Sequence, residues 1–356
     1  MPIPGLNIGN RPVGPGAPPL IIAELSGNHN QSLERALAIV DAAVGAGAHA
    51  IKLQTYTADT MTLDLSEGDF LTTEPSSPWA GQSLYALYRE AHTPWAWHAP
   101  IMERCRQHEV LCFSTPFDAS SVDFLESLDV PAYKVASFEI VDIPLLRHIA
   151  RTGKPVIVST GMATVAEIDE AVRTLRSHGS GDLVLLKCTS TYPASPTASN
   201  ILTIPHMRAL FGAQAGLSDH TGGIGAAIAA IAHGAVVIEK HVTLRRSDGG
   251  VDAAFSLEPE ELASLVIESE RAWQALGGVH YGLTEGERSS LRFRRSLYAV
   301  RDIQAGEPLT TENVRAIRPG FGLSPRYLDQ VLGLAAGVAL PRGTALDWPL
   351  LRPANP

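Results

Sequence analysis

The stretch Leu20-Ile21-Ile22-Ala23-Glu24-Leu25, followed by Ser26-Gly27-Asn28-His29-Asn30, decides between two architectures. A short apolar run that ends in an acid and a polar turn reads as a buried strand running into a loop. Further β-rich runs follow at residues 50–54, 110–114, 132–135, 156–159, 183–187, 215–218 and 236–240, each trailed by an amphipathic or Ala-rich stretch. Strands alternating with helices are the mark of βα units with parallel strands. Eight such units over roughly 260 residues match the size of a closed (β/α)8 barrel. An open doubly wound sheet is the rival, but its first strand usually runs into a Gly-rich phosphate turn, and Ser26-Gly27-Asn28-His29-Asn30 is not one. The sequence therefore predicts an α/β fold built on a TIM barrel.

Local signals agree. Ser32 stands before Leu33-Glu34-Arg35-Ala36 and Thr164 before Val165-Ala166-Glu167, both as helix-capping positions. Residues 66–94 are too long for a routine βα connection and are a candidate lid over the active-site face. The texture changes near Tyr281, which predicts a barrel domain at 1–281, a linker at 282–295 and a small β-rich domain at 296–356. A piece of that size is marginal alone and is expected to pack on a partner surface.

Composition narrows the function classes. Of 356 residues 45% are hydrophobic and 18% charged, which suits a globular chain and not a disordered one. A net charge of -9 gives no electrostatic footprint for nucleic acid or an anionic membrane surface. No run reaches membrane-spanning length, and residues 1–19 are Gly- and Pro-rich without the features of a signal peptide. Cys105, Cys112 and Cys188 are not spaced as pairs, so free thiols and a cytoplasmic location are expected.

Active sites of such barrels lie at the carboxyl ends of the strands. There the chain places Glu24, then Lys52 and Gln54, Thr115, Lys134 with Ser137 and Glu139, Ser159, Lys187 with Thr189 and Ser190, Ser218 with His220, and Glu239 with His241. Two lysines among hydroxyls supply positive charge and neutral donors for a phosphate or carboxylate. His220 and His241 end adjacent strands, where neutral imidazoles would meet at one metal ion and leave positions open. Glu24 is the candidate acid or base. Asn28 and His29 are equally explained by turn chemistry, and His49, His178 and His233 are expected at the surface. The loop Asp248-Gly249-Gly250-Val251-Asp252 carries two acids, which suit sugar hydroxyls better than phosphate.

Taken together, Ile22-Ala23-Glu24-Leu25-Ser26-Gly27-Asn28-His29-Asn30, Lys52-Leu53-Gln54-Thr55, Tyr133-Lys134-Val135-Ala136-Ser137, Ser159-Thr160-Gly161-Met162, Leu217-Ser218-Asp219-His220-Thr221 and Glu239-Lys240-His241 resemble the sialic acid synthase family in order and spacing. The resemblance runs from Pro19 onward, and the piece with Ile317-Arg318-Pro319-Gly320 is similar to that family's antifreeze-like (SAF) domain. Glu24-Leu25-Ser26, Leu84-Tyr85-Ala86-Leu87-Tyr88 and Ser137-Phe138-Glu139-Ile140 look most like its pseudaminic-acid-forming branch.

The resemblance implies a transferase that condenses phosphoenolpyruvate with an amino sugar, 2,4-diacetamido-2,4,6-trideoxy-altrose, and releases phosphate. It implies a manganese or magnesium ion on His220 and His241, with Glu24 as the catalytic carboxylate. Phosphoenolpyruvate would meet Lys52, Thr115, Lys134, Ser137, Ser159, Ser190 and Ser218. Ser190 departs from the Asn that many family members carry there. The sugar would face Gln54, Phe138, Glu139, Tyr192, Asp252 and Arg318, the last from the other subunit of a domain-swapped homodimer. An N-acetylneuraminate or legionaminate synthase is the alternative within the family. A metal-dependent barrel aldolase is the alternative of another class, and a scaffold bearing a glycan-binding module is the non-enzymatic one.

Overall fold

The structure is a computed structural model that describes residues 3–73 and 79–354. The chain divides into two compact units, Met1–Gly277 and Gly278–Pro356. In the first, a hairpin of β1 (Leu6–Ile8) and β2 (Arg11–Val13) precedes eight parallel strands: β3 (Leu20–Glu24), β4 (Ala50–Thr55), β5 (Leu111–Pro116), β6 (Tyr133–Val135), β7 (Val156–Ser159), β8 (Leu183–Cys188), β9 (Gln214–Asp219) and β10 (Val237–His241). They close in the order β10-β3-β4-β5-β6-β7-β8-β9, and β10 returns to β3 in register from Val237 with Leu20 to His241 with Glu24. Each predicted strand lies within two residues of its observed bounds.

Burial explains their composition. Leu20, Ile21, Ile22 and Ala23 are all buried, because a barrel strand faces the packed interior on one side and helices on the other. The predicted caps are present: Ser32 Oγ accepts from Arg35 N at 3.2 Å, and Thr164 and Glu167 form a reciprocal capping box.

The Gly- and Pro-rich amino-terminal stretch, in which no strand was expected, contains the β1–β2 hairpin, turned at Gly9 with φ +57. Gln214 at the start of β9 fastens it by donating to Ile3 O (3.2 Å) and Pro4 O (2.7 Å). Strands of three residues with a proline inside carry too little pattern to read. The segment 66–94 holds a 3-10 turn at Gly68–Phe70 and the helix Leu84–Ala91, while residues 74–78 of this candidate lid lie outside the described residues.

The second unit is built on β11 (Ser296–Ala299) with β12 (Val314–Ile317) and β13 (Leu334–Ala336) with β14 (Leu351–Pro353), both antiparallel. Leu297, Ile303, Leu309, Val331, Leu340 and Leu346 form its own core. Its first residue, Gly278, precedes the expected boundary at 281, and the stretch expected as a linker carries the 3-10 helix Glu285–Phe293. Among the described residues no helix is long and apolar enough to cross a membrane.

Candidate active site

Alternation along each strand decides which side chains meet. Lys52 and Gln54 on β4, Lys134 on β6, and Glu239 and His241 on β10 share the inner face. They line a cavity of about 690 Å³ at the carboxyl ends of the strands, with Thr115, Ser137, Phe138, Glu139, Ser159, Tyr192, Ser218, His220 and Asp252. Glu24 lies fully buried and ion-paired to Lys52 Nζ.

Besides Glu24, two predicted residues are not among those that line it. Ser190 is not in the lining but packs against Gly161, where an added Cβ would strike its Oγ, and its hydroxyl is 3.9 Å from Cys188 Sγ. Arg318 is an exposed residue of the second unit, whereas every lining residue belongs to the first. Phe138 does line the cavity and is 56% exposed.

Both cations are held by hydrogen bonds. Lys52 Nζ donates to Thr115 Oγ1 at 3.0 Å, and Lys134 Nζ donates to Ser159 Oγ at 2.6 Å and to Val135 O at 2.9 Å. Burial pulls the Lys52 ammonium down, but Glu239 and Glu24 outweigh it and leave it above the usual lysine range. Lys134 is drawn below that range, chiefly by burial. Burial pushes the Glu24 carboxyl up to about 7 against the pull of Lys52. Glu239, whose Oε1 accepts from Ser218 Oγ at 3.0 Å, goes the other way because Lys134 and Lys52 overcome its burial.

Several buried polar atoms here have no hydrogen-bond partner: Glu24 Oε1, Glu139 Oε2, Glu239 Oε2 and His241 Nδ1. Each such atom costs about 1 to 3 kcal/mol. Three of them, on Glu139, Glu239 and His241, belong to residues that line one cavity, which indicates a surface shaped for a polar ligand and not for stability.

The donor set fits a divalent ion. His220 Nδ1 donates to Thr189 O at 3.0 Å, which leaves Nε2 as its candidate metal-binding nitrogen. Burial holds His241 neutral, and the two rings stand 5.3 Å apart between centroids. Asp252 Oδ2 is 3.7 Å from His241 Nδ1. Among the described residues no group of three or more His, Cys, Asp or Glu stands together as a metal site, so His220 and His241 are the candidate ligands.

The structure adds residues the sequence reading passed over. Tyr56, Tyr88 and Trp79 line the cavity, and the Trp79 indole donates to Val251 O at 3.3 Å. Ser26 and Cys188 line it too. Burial raises the Cys188 thiol, but its contact with His220 outweighs that and brings it to about 7. Glu239 was legible from its place two residues before His241 on one strand face. The histidine at 49 is not a surface residue: its Nδ1 accepts from Ile21 N at 3.0 Å, and burial lowers its pKa to about 4.

Known proteins resemble the chain over both units. The model of the NeuB family matches residues 39–281, and that of the SAF domain matches residues 294–352. A pseudaminic acid synthase of Campylobacter jejuni is 44% identical over 326 residues, 92% of this chain and 94% of that protein. A pseudaminic acid synthase of Helicobacter pylori is 41% identical, over 93% of this chain and 97% of that one. Among solved structures, the N-acetylneuraminic acid synthetase of Leptospira borgpetersenii in complex with citrate aligns with a TM-score of 0.72 at 33% identity, over 81% of this chain and 95% of that one. With its barrel and its carboxyl-terminal piece both matched, the chain belongs to the NeuB family and ends in a SAF domain.

Proposed function

We propose that this chain is a pseudaminic-acid-forming transferase, joining C3 of phosphoenolpyruvate to the aldehyde of 2,4-diacetamido-2,4,6-trideoxy-altrose with release of phosphate. The observation that carries the reading is the joint presence in one cavity of two buried lysines and the His220–His241 pair, with the buried Glu24 ion-paired to one of those lysines. The relatives named as pseudaminic acid synthases, at 41% and 44% identity, support the choice of sugar.

Lys52 and Lys134 neutralise the phosphate and carboxylate, with Thr115, Ser137, Ser159 and Ser218 supplying neutral donors. A manganese or magnesium ion on His220 and His241 would act as a Lewis acid toward the sugar aldehyde. Attack by C3 leaves positive charge at C2 of the former phosphoenolpyruvate, and water adds there before phosphate departs. Glu24, with a carboxyl near 7, is suited to face that charge as the anion and to take the proton from the water. Gln54, Glu139, Tyr192 and Asp252 face the sugar. Arg318 would complete that subsite from a second copy of the chain in a domain-swapped homodimer. A cytoplasmic location suits these substrates and the three cysteines, all free.

The test is product mass spectrometry and phosphate release with phosphoenolpyruvate and either this sugar or N-acetylmannosamine. The diacetamido sugar is expected to win by about tenfold to two-hundredfold in kcat/KM through its methyl contact with Phe138, a margin that Phe138→Gly should narrow. A wild-type preference for N-acetylmannosamine would overturn the assignment. An unchanged ratio in the variant would remove Phe138 as its cause.

A further inference from the structure

Ser26 stands in a backbone conformation that serine rarely takes. Its φ is +50, in the left-handed region, and its side chain is 2% exposed. A non-glycine residue there is under strain and persists only where its surroundings hold it. Those surroundings are two residues of the sugar subsite. The Ser26 hydroxyl donates to Asp252 Oδ2 and accepts from Gln54 Nε2 at 3.4 Å.

The strands and loops that carry them are pressed together by missing side chains. A Cβ on Gly27 would lie 2.4 Å from Val251 Cγ2, and one on Gly250, at φ +127, would lie 2.8 Å from Asn30 Oδ1. Only glycine lets the turn after β3 and the loop after β10 approach this closely, and the approach brings Asp252 onto Ser26.

We infer that Ser26 is a positioning residue that fixes the hydrogen-bond polarity of the sugar subsite. Because its one proton goes to Asp252, its oxygen is left to accept from the Gln54 amide. The Gln54 carbonyl oxygen and the second Asp252 oxygen are then the atoms free for a ligand, and both are acceptors. The matching groups are N–H and O–H donors. A sugar with amide N–H groups or free hydroxyls satisfies that face, whereas an ether or ester at the same place leaves two half-buried acceptors unpaired.

The inference rests on the condensation proposed above, and steady-state kinetics of Ser26→Ala and Ser26→Gly separate the two. Alanine removes the hydroxyl and keeps the backbone strain, and glycine removes both. Each variant is expected to raise KM for the amino sugar about tenfold or more, with KM for phosphoenolpyruvate within about twofold of wild type. Ser26→Gly should also melt at or above the wild-type temperature, since the strain is relieved. A parallel rise in both KM values, or a sugar KM unchanged in Ser26→Ala, would overturn the positioning role. A wild-type enzyme that consumes no phosphoenolpyruvate with any amino sugar would overturn the condensation itself and this inference with it.

Discussion

Two buried ion clusters meet on β10, where Glu239 of one stands next to Lys240 of the other, and they are built to opposite ends. In the outer one, Lys240 and Asp219 are 0% and 2% exposed along their side chains. Lys240 Nζ donates to Asp219 Oδ2 at 3.0 Å and to Thr221 O at 2.5 Å, and Asp219 Oδ1 accepts from Thr221 N at 2.9 Å. In the inner one, Lys52, Lys134, Glu24 and Glu239 are equally buried, yet Glu24 Oε1 and Glu239 Oε2 have no hydrogen-bond partner. A buried charge pair holds a fold only when its remaining hydrogen bonds are made. Saturation thus marks the structural pair, and the lack of it marks the cluster kept for a ligand.

The largest effect should come from the inner side. Stripping divalent metal should bring turnover below detection, added manganese should restore it, and His220→Ala should not be restorable. A stripped enzyme, or His220→Ala, at full rate would remove the ion from the scheme.

Next in size is the direct contrast between the clusters. Asp219→Ala leaves Lys240 buried and uncompensated and should cost about 3 to 5 kcal/mol of stability. Glu24→Gln should lower kcat about a hundredfold or more while leaving stability equal or improved. Denaturant midpoints and kcat measured on both proteins decide it. The comparison breaks if Glu24→Gln unfolds the barrel or Asp219→Ala leaves its stability intact.

This contrast also shows where the sequence stops being informative. Strand runs, helix caps and the inward set Lys52, Gln54, Lys134, His220 and His241 are periodic features, and period survives in a one-dimensional string. Lys240 next to Glu239 is legible as facing the other way. That Asp219 saturates it is not, because the partner comes from a neighbouring strand. The strain at Ser26 is a backbone angle with no residue signature, since glycine is the usual sign of positive φ and serine is not. The amino-terminal hairpin was hidden by its short strands, and Arg318 owes its selection to resemblance, with no position in the strand pattern to check it.

The smallest expected effect sharpens the same rule at a third carboxylate. Glu139 lines the cavity with Oε2 unpartnered, and no lysine or arginine is ion-paired to it among the described residues. Burial pushes its carboxyl up to about 7, while its own backbone N–H and the Lys134 charge pull the other way. An acid whose folded pKa lies above its unfolded value opposes folding once it is asked to ionise. Below about 4.5 the group is protonated in both states and costs nothing. Between about 4.5 and 7 the unfolded chain loses the proton and the folded chain keeps it, so stability falls as pH rises, and above 7 the loss is complete. Glu139→Gln removes that penalty. In ligand-free protein the variant should equal wild type near pH 4 and exceed it by on the order of 2 kcal/mol at pH 8. Urea midpoints across that range measure the difference, and one that does not grow with pH would show that Glu139 is satisfied in solution and belongs with the saturated pair.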